Sequence, residues 1–212
     1  MPKEVTVIGG GTGSYTVLKG LKKYVTNGTI RLSAIISMFD SGGSTGRLRD
    51  ELGVLPPGDL RRCLIALADD SGENYLRQLF QYRFQEENGS LGGTRLGDLL
   101  LRAIKKLYPH DPFSILAKIT SFDTPAAELL DYVFEHGSDM NGHSLGNLII
   151  SAAEKKYGTM GAGVEKLRQL LRLQGNVYPV SLANSHLHAR LLDATVIHGE
   201  TYIDLPIGER AA

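Results

Sequence analysis

The chain has 212 residues, and 42% hydrophobic against 22% charged residues is the balance of an ordinary globular protein with a substantial core. Lys+Arg and Asp+Glu cancel at 23 each, so no global field draws in a nucleic acid and any phosphate site must be local. The single cysteine, Cys63, excludes an internal disulfide and a multi-thiolate metal site.

No apolar run approaches the roughly 18 residues of a membrane span, and no signal peptide precedes the first apolar segment. The expectation is a cytoplasmic protein with neither a nucleic-acid nor a membrane partner, and with a homo-oligomer left open.

Val5-Thr6-Val7-Ile8 is a β-branched run that stops at glycine, as a buried parallel strand does. A first glycine turn, Gly9-Gly10-Gly11-Thr12-Gly13-Ser14, then opens a helix with Tyr15, Val17, Leu18 and Leu21 on its apolar face and Ser14 as its cap. Residues 31–37 (RLSAIIS) read as a second strand. Strand, glycine turn, helix and strand begin a doubly wound α/β sheet, whose ligands bind beyond the carboxyl ends of the strands.

A second turn, Asp40-Ser41-Gly42-Gly43-Ser44-Thr45-Gly46, predicts a short helix capped by Ser44 and Thr45 and bearing Arg47 and Arg49. After Pro56-Pro57-Gly58, Asp59 is the expected cap of a helix over residues 60–68. That helix buries Leu60, Cys63, Leu64 and Leu67 and turns Arg61 and Arg62 away from the stripe.

Residues 74–173 are mainly helical in pattern and contain an internal repeat. Residues 91–108 (LGGTRLGDLLLRAIKKLY) align with 140–157 (MNGHSLGNLIISAAEKKY), and 79–84 (LFQYRF) with 129–134 (LLDYVF). Each copy predicts a helix with an aromatic pair, a glycine turn and a second helix, hence a duplicated helical hairpin. Residues 177–180, 186–191, 195–198 and 201–203 return to a strand-like pattern. The whole reads as one Rossmann-like α/β domain over 1–212, with a helical insertion.

Three glycine turns at helix starts point to anion binding, because glycine permits close backbone approach and a helix N-terminus offers free N–H groups and partial positive charge. The first turn departs from G-x-G-x-x-G, and no Gly-Lys-Ser/Thr follows, so neither NAD nor a P-loop is expected. In the second turn, successive amides form an anion nest while Asp40 is placed to hold magnesium or to orient an alcohol.

The third turn carries His143, Ser144 and Asn147 where the first copy has Thr94, Arg95 and Asp98; the glycines and leucine around them are retained. The polar differences mark the second copy as the specific site. His186 and His188 read as a solvated strand face, Cys63 as a core residue, and Lys22-Lys23, Lys105-Lys106 and Lys155-Lys156 as exposed helix faces.

With VTVIGGGTGSYTVLKGLK, DSGGSTGRLRDELGVLPPGDLRRCLIAL, LFQYRF, GHSLGNL and GNVYPVSLANSHLHARLLDATVIHGE in order, the chain resembles the family uniting the 2-phospho-L-lactate transferases (CofD-like) and the bacterial gluconeogenesis factors. The LPPGDLRRCL and GHSLGNL segments resemble the gluconeogenesis-factor branch more closely.

The resemblance implies a Rossmann-like fold. It also implies a nucleotide or nucleotide-sugar ligand, such as UDP-N-acetylglucosamine, with a role in carbon metabolism and cell-wall shape. The transferase branch implies instead a magnesium-dependent transfer of a phospholactyl group to a deazaflavin alcohol. A catalytically inactive scaffold is a third reading.

Carried across by motif, the pocket comprises Gly10, Gly11, Thr12, Gly13, Asp40, Gly43, Ser44, Asp59, Arg62, His143, Ser144 and Asn147. Relative to the family, Ser41 follows Asp40 where a second aspartate is common, an extra copy intervenes between residues 85 and 134, and a PGS-x-YTS segment expected further along is not in this sequence.

Overall fold

The computed structural model describes residues 1–40, 42–69, 75–85, 90–120, 125–137 and 139–205. Strand β1 (Lys3–Gly9) leads through α1 (Gly11–Thr26) to β2 (Ile30–Ile36), and α2 (Gly43–Leu52) and α3 (Gly58–Leu67) follow. The helical region comprises α4 (Tyr75–Gln81), α5 (Leu96–Leu107), α6 (Pro112–Thr120), α7 (Pro125–Leu130), α8 (Leu145–Tyr157) and α9 (Met160–Leu170). Then come β3 (Asn176–Pro179), β4 (His188–Arg190), β5 (Val196–His198) and α10 (Glu200–Ile203). Residue 74, the expected start of the helical region, and Ser41 in the second turn lie outside the described residues.

The sheet runs β1-β2-β3 and is parallel throughout, with Val7 opposite Ala34 and Ala34 opposite Val177. Both crossovers step the same way across it, and right-handed crossovers that keep one direction fall on one face. The burial follows this rule. Leu32, Ala34, Ile36 and Val177 are buried, whereas Ile8 and Tyr178 on the other face are 73% and 53% exposed. The α/β class with a parallel sheet is as expected, and the described residues build one of the two windings.

Leu18 of α1, Leu60 and Leu64 of α3, and Leu148 and Ile150 of α8 are buried in the same apolar core as the sheet. Helix α3 is buried on nearly every side, including Arg61. A single apolar stripe therefore described it poorly, and Arg61 does not emerge as expected. Lys22 is also buried: its Nζ donates to the carbonyl of Ala68 at 2.8 Å, the C-cap of α3. Packing of α1 on α3 lays the lysine stem in the interface, and the ammonium meets an unpaired terminal carbonyl. The other paired lysines, Lys105, Lys106, Lys155 and Lys156, are exposed as expected.

The repeat is real, but its halves pair crosswise. Phe84 donates its N–H to the carbonyl of His143 (3.0 Å) and accepts from Gly142 (2.9 Å), while Leu145 donates to Tyr82 (2.8 Å). Reciprocally, Phe134 donates to Thr94 (3.0 Å) and accepts from Gly93 (2.7 Å), and Leu96 donates to Tyr132 (2.8 Å). Each aromatic segment thus locks onto the glycine turn of the other copy. Within each segment the aromatic pair is T-shaped, Tyr82–Phe84 at 5.1 Å and Tyr132–Phe134 at 5.2 Å.

Near the end of the described chain, β4 and β5 form an antiparallel pair in which His188 stacks edge-on to His198 at 4.5 Å. His186 precedes β4, so the two histidines expected on one strand face do not share a strand. Residues 201–203 belong to helix α10 rather than to a strand, because Gly199 at φ +88 breaks the extended run.

Candidate functional site

The carboxyl ends of β1 and β2 open on a cavity of about 560 Å³ lined by Gly10, Gly11, Ser37, Asp40, Gly42, Asp59, Arg62, Glu200, Thr201 and Asp204. Its floor is the first glycine turn. Gly10 is the N-cap of α1, and a Cβ there would collide with Ser37 Oγ and Asp59 Oδ2. Gly11 adopts φ +64, a conformation costly for any other residue.

Asp59 is the cap expected from the sequence, but for another helix. Its own helix starts at Gly58 with Pro57 as N-cap and has no side-chain cap. The Asp59 carboxylate instead faces the N–H of Gly11 at the start of α1, which favours its ionised form, and Ser37 Oγ donates to its Oδ2 at 3.5 Å. Arg62, one turn along α3, lies 3.5 Å from Asp59 Oδ1. Burial raises the pKa of Asp59, neighbouring Asp40 raises it further, and Arg62 and the Gly11 and Ser37 hydrogen bonds partly offset this.

Asp40 repeats the arrangement at the second turn. Its Oδ1 accepts the N–H of Gly42, the N-cap of α2, at 3.0 Å. Its Oδ2 crowds Gly58, where a Cβ would also meet Thr45 Oγ1 at 2.8 Å. Two helix N-termini therefore each hold a carboxylate at an anion position. Ser14, Ser44 and Thr45 are not caps: α1 starts at Gly11 and α2 at Gly43, so all three lie inside the first helical turns.

The third glycine turn stands behind this wall rather than in it. Ser144 caps α8, accepting the N–H of Asn147 at 3.2 Å. Asn147 Oδ1 accepts from Arg61 Nε at 2.8 Å, and its Nδ2 donates to Thr45 Oγ1 at 3.4 Å. This buried amide thereby ties α8 to α3 beside Asp59 and to α2 beside Asp40. Arg61 is a buried cation under the site, and desolvation, with Arg83 and Arg62 nearby, lowers its pKa to about 10.

His143 is fully buried, and neither of its ring nitrogens has a hydrogen-bond partner among the described residues. Burial first, and Arg47 next, lower its pKa to about 4.

Of the residues predicted from sequence, the structure brings Gly10, Gly11, Asp40, Asp59 and Arg62 together around the cavity. Thr12, Gly13, Gly43 and Ser44 occupy the first turns of α1 and α2, and His143, Ser144 and Asn147 the supporting layer. Sequence reasoning missed Ser37, Arg61, Thr45, Glu200, Thr201 and Asp204. Ser37 had a signal, its place just beyond the second strand; the α10 residues had none.

Carboxylates outnumber guanidinium groups in this cavity, so a diphosphate would enter most readily with a divalent cation. Among the described residues no group of three or more His, Cys, Asp or Glu side chains is placed to hold a metal. Asp40 and Asp59 are nonetheless adjacent, and two carboxylates completed by water and phosphate oxygens are a sufficient set for Mg²⁺.

A glycine-lined cavity at the carboxyl ends of parallel strands lies where open α/β sheets take their ligands. The sequence matches the family described as 2-phospho-L-lactate transferase CofD over residues 5–123 and 111–210, and the chain belongs to that family. Within it, the chain is 35% identical over 200 residues to a putative gluconeogenesis factor of Nostoc sp., covering 94% of this chain and 32% of the relative. It is 31% identical to the gluconeogenesis factors of Halalkalibacterium halodurans and Bacillus subtilis, covering 95% and 94% of this chain and 45% of each relative. A crystal structure of a Bacillus halodurans protein superposes with a TM-score of 0.66 at 32% identity, over 96% of this chain and 47% of that one. The chain thus spans less than half the length of these relatives. No described helix is long and apolar enough to cross a membrane.

Proposed function

We propose that the protein binds a nucleotide-sugar diphosphate, a UDP-sugar, and acts as a regulatory protein of the gluconeogenesis-factor type in carbon metabolism and cell-wall morphogenesis. One observation carries the reading: two glycine-opened helix N-termini face one cavity, each with a carboxylate beside its first amides, Asp59 near Gly11 and Asp40 accepting from Gly42. Asp40 and Asp59 are the residues that would hold a Mg²⁺ ion, which would supply the positive charge a diphosphate needs beside these carboxylates. Arg62 neutralises the far phosphate, and amides of Thr12, Gly13, Gly43 and Ser44 complete the cradle. Asn147, Ser144 and His143 hold the α2 and α8 ends in place behind it.

Calorimetry with UDP-N-acetylglucosamine and magnesium tests this. Measurable heat that weakens at least tenfold on Arg62→Ala is expected, about 1.4 kcal/mol or more of binding free energy. No heat and no thermal shift at millimolar ligand would overturn it.

The adjacent Asp40 and Asp59 carboxylates favour a second reading, a phospholactyl-type transferase. The acceptor alcohol oxygen would attack the distal phosphorus of the donor diphosphate as its proton passes to Asp40. The bond from that phosphorus to the bridging oxygen breaks, and nucleoside monophosphate leaves with that oxygen. Release of monophosphate that depends on both acceptor and magnesium is its signature; release indifferent to either rejects it.

A further inference from the structure

Among the described residues β4 and β5 form a two-stranded sheet of their own, and His188 stands directly opposite His198 in its register. Gly199 donates its N–H to the carbonyl of Leu187 at 2.8 Å, and Leu191 donates to Thr195 at 2.8 Å. Bonded and non-bonded pairs alternate along an antiparallel ladder, so the two histidines fall on a non-hydrogen-bonded pair. At such a pair the Cα atoms approach to about 4.5 Å, and the opposed side chains share one face at closest range. The ring centroids are accordingly 4.5 Å apart, with the planes edge-on at 84°.

Packing gives little reason for two imidazoles at these positions, because both are exposed. Like charges directly opposite each other also destabilise a strand pair whenever both rings carry a proton. Neutral imidazole is, by contrast, the commonest protein ligand for metals and suits zinc and copper. Two nitrogens bound to one zinc ion at about 2.0–2.1 Å each lie about 3.3 Å from one another in tetrahedral geometry. Rings with centroids 4.5 Å apart reach that separation by rotation about χ2. The next pair on this face is Arg190 with Val196, neither of them a ligand, so the strand pair supplies two donors and water the rest.

The location ties such an ion to the cavity wall. Gly199 follows His198 and is the N-cap of α10, whose Glu200 and Thr201 line the cavity together with Asp204 just beyond it. No residue of α10 is buried, so the hairpin that carries it does much to place it. A two-stranded pair has little stability of its own in water, and a metal that joins its strands adds binding free energy to their pairing.

We propose that His188 and His198 form a two-imidazole site for a first-row transition-metal ion, Zn²⁺, which staples β4 to β5 and so steadies α10 at the cavity. The site lies outside the cavity, so its test does not depend on nucleotide binding.

The test is calorimetric titration of the untagged chain with Zn²⁺ and, separately, with Cu²⁺, with Mg²⁺ in excess throughout to occupy the Asp40 and Asp59 carboxylates. One equivalent of either ion is expected to bind, Cu²⁺ the more tightly, as divalent ions on nitrogen ligands do. His188→Ala and His198→Ala should each weaken binding at least about tenfold, since even outer-shell partners of a metal ligand are worth that much. His110→Ala, in an exposed turn, should leave it unchanged. Electron paramagnetic resonance of the Cu²⁺ form should show two coordinated nitrogens in the parent and one in either variant. Zn²⁺ should slow hydrogen exchange of the Gly199 amide in the parent and not in the variants. Both rings are exposed, so the circular dichroism of the variants should match that of the parent. Absence of binding at millimolar metal, binding indifferent to both substitutions, or an exchange rate unmoved by Zn²⁺ overturns the proposal. So does binding that His186→Ala abolishes and His198→Ala spares, which would assign the ion to neighbouring residues of one segment rather than to the cross-strand pair.

Discussion

The Nε–H of Arg61 donates to Oδ1 of Asn147 at 2.8 Å, and both side chains are buried. The pair joins α3 to α8 across 86 residues of sequence and keeps a guanidinium charge under the carboxylates of Asp40 and Asp59. A buried charge that loses its partner costs far more than the bond itself contributes.

Asn147→Ala should therefore destabilise the fold by about 2–4 kcal/mol in urea denaturation. Adding Arg61→Met should recover more than half of that loss, because the orphaned charge goes with it. A single variant within about 0.5 kcal/mol of the parent would show that the link is idle.

The duplication supplies an internal control. A Cβ on Gly146 would lie 2.5 Å from the carbonyl oxygen of Phe80 and 2.7 Å from Arg61 Cδ, whereas on the matching Gly97 it would lie 3.1 Å from the carbonyl oxygen of Leu130. Backbone cannot yield as a flexible side chain can. Gly146→Ala should cost about 2–3 kcal/mol and Gly97→Ala no more than about 1 kcal/mol. Chemical denaturation that reversed the order would contradict the cross-paired packing.

Gly10, Gly11, Asp40 and Asp59 were legible in the sequence because each answers a local demand. Gly10 is required by the close approach of Ser37 and Asp59, and Asp40 by the turn it closes two residues on. Partners distant in sequence were not legible. Asp59 has the type and place of a cap, yet it caps α1 through space, which no local pattern announces. Arg61 was assigned to the surface on the rule that a helix hides one face, and α3, enclosed on nearly all sides, does not obey it. The repeat was visible as aligned text, but the exchange between Phe84 and His143 on one side and Phe134 and Thr94 on the other exists only in three dimensions.

His143 makes the stability depend on pH in one direction. In the unfolded chain its imidazole titrates near the usual 6.5, while burial and Arg47 hold it neutral in the fold down to about 4. Arg83 adds to that effect, and Glu51 and Asp139 oppose it. The unfolded state thus binds the extra proton between these values. The contribution of neutral His143 is fully present above pH 6.5 and is lost as the pH falls toward 4, on the order of 3 kcal/mol in all. Comparing urea midpoints of the parent and His143→Leu at pH 7 and pH 4.5 measures this, and the variant should show the shallower acid loss. Parallel slopes would rule the histidine out as their source.

Asp59 makes the stability depend on pH in its own way. Its carboxyl pKa is raised by burial and by Asp40, so its ionised form is disfavoured by the fold. The sign is opposite to that of an ordinary salt-bridged aspartate: the penalty sets in as the pH rises through the carboxylate range and persists at pH 7. Asp59→Asn removes the charge while its amide oxygen can still accept the Gly11 N–H. The melting temperature should rise by roughly 2 °C or more, as relief of buried like-charge repulsion does in a domain of this size. Magnesium should raise the melting temperature of the parent at pH 7 and leave that of Asp59→Asn unchanged, since one of the two carboxylates that would hold the ion is gone. A variant that melts lower than the parent would mean that Arg62 and the Gly11 amide more than compensate the buried charge. The cavity would then be tuned for a bare carboxylate rather than for a cation brought in with its ligand.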